Sequence, residues 1–182
     1  SVVKNTYHGL DVPRDNLVFV LDISASMASR FDDDHTFLQY FVAALHDTIN
    51  QLPVDTLFNV VLFSNDVQIW RDDLALASPD NIVAAQNFLA AATPGGGTNL
   101  HAALMASLGF AEVQTVFLLS DGEPTVGPVT APAALLRALE RRNRNRRVRF
   151  HTIAVGPSGA NFLAELAAEN CGQAVDRTAD SR

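Results

Sequence analysis

The stretch Asn16-Leu17-Val18-Phe19-Val20-Leu21-Asp22-Ile23-Ser24-Ala25-Ser26-Met27 decides the fold class and points to the chemistry. Leu17 to Leu21 form an uninterrupted apolar run, the pattern of a strand buried on both faces. The chain then delivers a carboxylate and two hydroxyls at alternating positions, Asp22, Ser24 and Ser26. Hard oxygen donors of this kind suit a hard divalent cation. Mg²⁺ takes near-octahedral oxygen geometry, keeps several waters and needs only one or two carboxylates from the protein. The plainer alternative is a capped strand-to-helix turn, because Ser and Asp hydrogen-bond backbone groups at turns.

Two further segments favour the cation. Thr93-Pro94-Gly95-Gly96-Gly97-Thr98-Asn99-Leu100 is a glycine run that ends in a hydroxyl just before a helical pattern. Val116-Phe117-Leu118-Leu119-Ser120-Asp121-Gly122-Glu123-Pro124 is a second buried strand, ending in a carboxylate and a turn. An open parallel sheet gathers its loops at the carboxyl edge of the strands. Asp22, Ser24, Ser26, Thr98 and Asp121 can converge there although they lie up to about a hundred positions apart.

The pattern Asp-x-Ser-x-Ser, then Thr in a Gly-rich loop, then Asp in Ser-Asp-Gly, resembles the metal-ion-dependent adhesion site of von Willebrand factor type A domains. The resemblance runs from about Asn16 to Val175, with Ala25 standing where the family usually has glycine between the serines. Thr6-Tyr7-His8-Gly9-Leu10 and Gly97-Thr98-Asn99-Leu100-His101 look more like bacterial members than integrins. The resemblance implies Mg²⁺ held by Asp22, Ser24, Ser26, Thr98 and Asp121, with Mn²⁺ or Ca²⁺ as possible substitutes. It also implies a protein partner whose Asp or Glu completes the shell. Relatives act outside cells as adhesins and inside them beside ATPase machines, so the resemblance leaves the compartment open.

Along the chain, strands and helices alternate. Strand patterns cover Leu57 to Phe63, Thr115 to Leu119, Val148 to Val155 and Gln173 to Val175. Helical patterns follow from Phe37 to Leu52, Asn81 to Ala91, Leu100 to Phe110, Pro132 to Arg142 and Ala160 to Asn170. Val67 to Trp70 reads as one short antiparallel strand at the edge. The expected fold is therefore α/β: a doubly wound, mostly parallel open sheet of Rossmann-like type, with helices on both faces. Residues 1–15 read as a leader that packs on the sheet edge or stays loose, and residues 16–182 as a single domain. Asp32, Asp33 and Asp34 are expected to favour the start of the first helix through its dipole, with extra cation ligation as the alternative.

At 182 residues, with 48% apolar and 18% charged content, the chain describes an ordinary globular domain. No stretch reaches the apolar length needed to cross a bilayer. The net charge of −7 argues against nonspecific nucleic-acid binding. Arg141, Arg142, Arg144, Arg146, Arg147 and Arg149 are the local exception, read as a solvated helix C-terminus rather than an anion patch. Cys171, the single cysteine, excludes an internal disulfide and is expected to pack.

These residues point to a noncatalytic binding module. A metal-dependent phosphohydrolase with Asp22 as nucleophile is the main enzymatic rival. It commonly wants a second carboxylate where Ser24 stands, and the only lysine is Lys4. No Gly-x-Ser-x-Gly elbow is present, and His101 and His151 are expected at packing or surface positions. A scaffold whose ion is purely structural is the third reading.

Overall fold

The uninterrupted apolar runs form the centre of the sheet in the computed structural model, which describes residues 4–156 and 158–178. A hairpin of β1 (Thr6–Tyr7) and β2 (Leu10–Asp11) precedes the central strand β3 (Leu17–Asp22). Then come α1 (Phe37–Asn50), β4 (Leu57–Phe63), β5 (Val67–Ile69), β6 (Ala75–Leu76), α2 (Pro79–Ala90) and α3 (Leu100–Ser107). The chain continues through β7 (Thr115–Ser120), α4 (Pro132–Asn143), β8 (Arg149–Ala154), α5 (Ala160–Glu169) and β9 (Ala174–Asp176). The strand order is β5-β4-β3-β7-β8-β9; β4, β3, β7, β8 and β9 run parallel, as expected.

Alternation along β3 explains why every one of its residues is apolar until Asp22. Leu17, Phe19 and Leu21 face α1 and α2, packing with Phe41, Leu45, Ile49 and Leu89. Val18 and Val20 face α3, α4 and α5, packing with Leu104, Leu139 and Leu163. A strand buried on both sides has no polar face to show, so the period of two disappears from the sequence.

Two edge strands, rather than one, pair antiparallel with β4. Asn59, fully buried within β4, bridges the gap between them. Its Nδ2 donates to the carbonyls of Arg71 (2.7 Å) and Asp73 (3.0 Å), and its Oδ1 accepts from the Arg71 N–H at 3.3 Å. The side chain thus satisfies the backbone where β5 has ended and β6 has not begun. Asn59→Ala is expected to cost about 2–3 kcal/mol in urea denaturation, because it leaves part-buried carbonyls without donors. A loss below about 0.5 kcal/mol would show that water substitutes freely there.

The leading segment packs on a face of the sheet, not on its edge. Tyr7 is 2% exposed, with its ring 5.7 Å from Phe19 and 5.8 Å from Phe117 in edge-on contacts. Asn5 Nδ2 ties the segment to α1 through the Thr48 carbonyl at 3.1 Å. Residues 1–3 lie outside the described residues.

The topology also locates a crevice. From β3 the chain leaves to α1 on one face, and from its neighbour β7 it leaves to α4 on the other. Diverging connections open a gap at the carboxyl ends of these strands, the usual binding position of an open α/β sheet.

Candidate metal centre

Asp22 ends β3 fully buried, and both of its oxygens are engaged. Oδ1 accepts the Ser24 N–H at 2.8 Å and Oδ2 accepts the Ser120 hydroxyl at 2.6 Å. The carboxylate therefore shapes the turn that follows and bridges to the end of β7. Desolvation pushes its pKa up to about 6; the negative charge of Asp121 adds to this, and the bonds from Ser120 and Ser24 offset part of it.

The capped-turn alternative expects the Asp and Ser side chains to bond backbone at this turn; Asp22 does so through the Ser24 N–H, and Ser24 does not. Ser24 stands at the N-cap of a short 3₁₀ turn, Ala25–Ala28, but its side chain makes no capping bond. Its hydroxyl instead lies 3.0 Å from that of Ser26. The Ser26 hydroxyl in turn donates to an Asp121 carboxylate oxygen. Ala25 does not adopt a left-handed conformation, so the family's usual glycine is not required at this position. Its N–H donates to the Gly96 carbonyl at 3.0 Å.

Thr98 is 3% exposed, and the surrounding loops fix its backbone. Its N–H donates to Thr125 Oγ1 at 2.8 Å and its carbonyl accepts the Thr125 N–H at 3.0 Å. Gly95 N–H bonds the Ile23 carbonyl at 2.9 Å, and Gly97 N–H bonds Asn65 Oδ1 at 2.7 Å. Gly96, at φ +76, makes the turn between them. Asn99 caps α3 by accepting the Ala102 N–H, and reaches the Asn65 carbonyl at 3.0 Å. The glycine loop is thereby fastened to the ends of both β3 and β4.

Ser24, Ser26, Thr98 and Asp121 line one cleft of about 470 Å³, and Asp22 lies beneath it. All five sequence-predicted residues are thus gathered at the crevice between β3 and β7. Sequence reasoning missed three supports: Ser120 beneath Asp22, Thr125 behind Thr98, and Asn65 behind the glycines. Ser120 stands in the Ser-Asp-Gly motif, and Asn65 in Ser64-Asn65-Asp66 between the strand patterns Leu57 to Phe63 and Val67 to Trp70. Nothing in the sequence marks Thr125. Among the described residues no three His, Cys, Asp or Glu side chains cluster for a metal, so any cation here depends on hydroxyls.

The chain's match to the von Willebrand factor type A domain covers residues 15–176. The chain belongs to this family. Inter-alpha-trypsin inhibitor heavy chain H2 of Mesocricetus auratus is 29% identical over 176 residues, which is 90% of this chain and 18% of that protein. Heavy chain H4 of Homo sapiens is 32% identical over 131 residues, 65% of this chain and 13% of the relative. The chain spans less than a fifth of the length of these relatives. Among solved structures, a von Willebrand factor type A protein from Catenulispora acidiphila superposes with a TM-score of 0.69 at 19% identity, covering 89% of this chain and 38% of that one. Manganese-loaded TRAP protein of Plasmodium vivax superposes with a TM-score of 0.60 at 21% identity, covering 86% and 64%. At these identities the superpositions speak for the fold.

Other sequence expectations resolve differently. Asp32 to Asp34 precede α1 rather than entering its first turn, and Thr36 with Gln39 forms the capping box. Asp32 closes its own turn by accepting the Asp34 and His35 N–H groups at 2.8 Å. Of the arginine run, Arg146 spans to another helix, donating to the carbonyls of Leu108, Phe110 and Ala111 after α3. Arg144 pairs with Glu140 and Arg149 with Asp15. His151 stacks on Phe117 and accepts the Gln173 N–H, a packing position as expected. Cys171 is exposed at φ +56, not packed, because the chain must turn there to bring Gly172 against the Phe150 carbonyl.

Proposed function

We propose that this chain is a noncatalytic, divalent-cation-dependent protein-binding domain, in which a partner's Asp or Glu completes the coordination of Mg²⁺. The observation carrying this reading is that the Ser24 hydroxyl forgoes the cap and joins Ser26, Thr98 and Asp121 at one cleft above a buried carboxylate. The donor set fits the ion: hard oxygens only, three of them uncharged. Asp22, Ser24, Ser26, Thr98 and Asp121 would hold it. When bound, the cation supplies a Lewis-acid corner that an incoming carboxylate can occupy, because neutral hydroxyls leave its charge incompletely compensated.

The chain's own residues divide the work. Asp22 anchors from below, held by Ser120 and the Ser24 N–H. Ser24 and Ser26 present hydroxyls from the turn after β3, and Thr98 presents one from the glycine loop. Asp121, half-buried, holds the open side together through Ser26. Partial burial lowers the effective dielectric, which strengthens attraction between this centre and an acid.

Two observations weigh against the rivals. Asp22 is fully buried with both oxygens hydrogen-bonded, a poor posture for a nucleophile approaching phosphorus. Ser26 is exposed and the cleft is open beside it, which favours a replaceable corner over a sealed structural ion.

The test is calorimetry with Mg²⁺ and Mn²⁺, followed by acidic peptides in metal and in chelator. Thr98→Ala is expected to weaken cation binding at least about tenfold while Thr98→Ser retains it, and Ser120→Ala to weaken it about 10–100-fold through Asp22. Ca²⁺ is expected to support peptide binding less well than Mg²⁺ or Mn²⁺, because its larger shell fits poorly among short hydroxyls. Undiminished binding in chelator would refute the reading.

A further inference from the structure

We infer that the acid-bearing segment of the partner carries a large apolar side chain beside its carboxylate, seated on Phe37 against Met27 and Val155. This rests on the proposed cation-dependent reading and specifies what else that cleft selects.

The cleft is larger than an ion and an acid require. Five protein donors leave an octahedral ion one corner, which a water fills with roughly 30 Å³, and the cleft measures about 470 Å³. That volume lies in the range of sites that enclose organic groups. The large apolar side chains among its lining are Phe37, Met27 and Val155, which share the cleft with Ser24, Ser26 and Thr98.

Phe37 begins α1 and stands outside the helix's buried set of Leu38, Phe41, Leu45, Thr48 and Ile49, remaining half-exposed. It is nevertheless held firmly: Phe31 lies 5.5 Å away edge-on and Phe41 lies 6.2 Å away in a stacked arrangement. Met27 and Val155, at 1% and 2% exposure, present a fixed floor. A rigid aromatic platform with a fixed floor binds an apolar group without first having to be ordered.

Charge narrows the occupant further. Among the described residues lining the cleft, the charged side chains are Asp121 and Glu123, and none is cationic. A second acid beside the first would meet Glu123 with no Lys or Arg to receive it. The remaining specificity must come from apolar contact and neutral hydrogen bonds. An aliphatic or aromatic residue adjacent to the acid meets that demand.

The experiment is a library of immobilised peptides with one Glu in a Ser/Gly background and each flanking position varied, probed with the chain in Mn²⁺ and in EDTA. Leu, Met or Phe next to Glu is expected to bind about tenfold or more tighter than Ser, Asp or Lys there. Phe37→Ser is expected to reduce that preference to about twofold or less, and Phe37→Leu to restore most of it. Mn²⁺ affinity measured in parallel separates loss of the apolar seat from loss of the ion. Methyl NMR of Met27 and Val155 should shift with Leu-Glu peptides and not with Ser-Glu peptides. Metal-dependent binding without an apolar preference, or with one that Phe37→Ser leaves intact, overturns this inference alone. Absence of any metal-dependent peptide binding overturns the underlying reading as well. Free hexanoate binding more tightly than every peptide would assign the cleft to small carboxylates and overturn the partner segment.

Discussion

Asp22→Asn is expected to stabilise the metal-free protein at pH 7.5 by about 1–2 kcal/mol while eliminating its stabilisation by Mg²⁺. The reasoning starts from the carboxyl's pKa, which burial pushes up to about 6. An acid whose folded-state pKa lies above its unfolded value binds more protons when folded. Its stabilising contribution is complete below about pH 4 and is lost as pH rises through about 6. The shift is about two units, so ionising Asp22 at neutral pH costs about 3 kcal/mol. Asparagine removes the charge but can accept only one of the two hydrogen bonds now made by Ser24 N–H and Ser120, returning about 1 kcal/mol. Cation binding favours the ionised form, so Mg²⁺ should flatten the pH dependence of the native protein and leave the variant unchanged. The measurement is urea denaturation from pH 4 to 8, with Mg²⁺ and with EDTA. The variant serves as the baseline, because His151, held low by burial and then by Arg149, adds a pH dependence of its own. A native protein that gains stability relative to Asp22→Asn as pH rises in EDTA would contradict the account.

Gly122→Ala should be a strongly damaging single methyl beside the site. Gly122 follows Asp121 at φ +88, and an added Cβ would lie 2.5 Å from Gly159 Cα and 3.0 Å from its carbonyl carbon. Both obstacles are backbone, so no side-chain rotation relieves them. Left-handed strain and this clash together should cost about 3 kcal/mol or more. The loop carrying Asp121 must also move, so Mn²⁺ affinity should fall with stability. Gly95→Ala is the control: its Cβ would meet nothing within 4 Å, and its φ is not left-handed. It should change stability by less than about 0.5 kcal/mol, although it sits in the glycine run that the sequence makes conspicuous. Equal losses at the two positions, in thermal unfolding, would contradict the packing described here.

What the sequence made legible, and what it hid, divides along a physical line. Apolar runs such as Leu17–Leu21 have only one comfortable place, the interior of a parallel sheet, so the fold class followed from them. The site was legible because three of its donors, Asp22, Ser24 and Ser26, fall within five consecutive residues at the end of such a run, where topology brings the loops of Thr98 and Asp121 alongside. Side chains that bond to distant backbone leave no period behind. Asn59 bridging the gap between β5 and β6, Arg146 reaching the carbonyls after α3, and Thr125 bracing Thr98 all act across 12 or more positions. Asp32 is an instructive intermediate. Its position near a helix was evident, but Thr36 and Gln39 compete for the same N-terminus and satisfy it from closer range. Phe37 shows the converse: the helical pattern marks it only as the start of α1, and that place, packed against the core's edge, also brings it to the cleft.

The central claim is one cation held by Asp22, Ser24, Ser26, Thr98 and Asp121, with a corner left for an outside carboxylate. Anomalous scattering from crystals soaked in Mn²⁺ tests it directly. The account predicts a single strong peak in the cleft among Ser24, Ser26 and Thr98, lost in Thr98→Ala crystals. A flat map there at saturating Mn²⁺, or a peak only at Asp32 to Asp34, would contradict it.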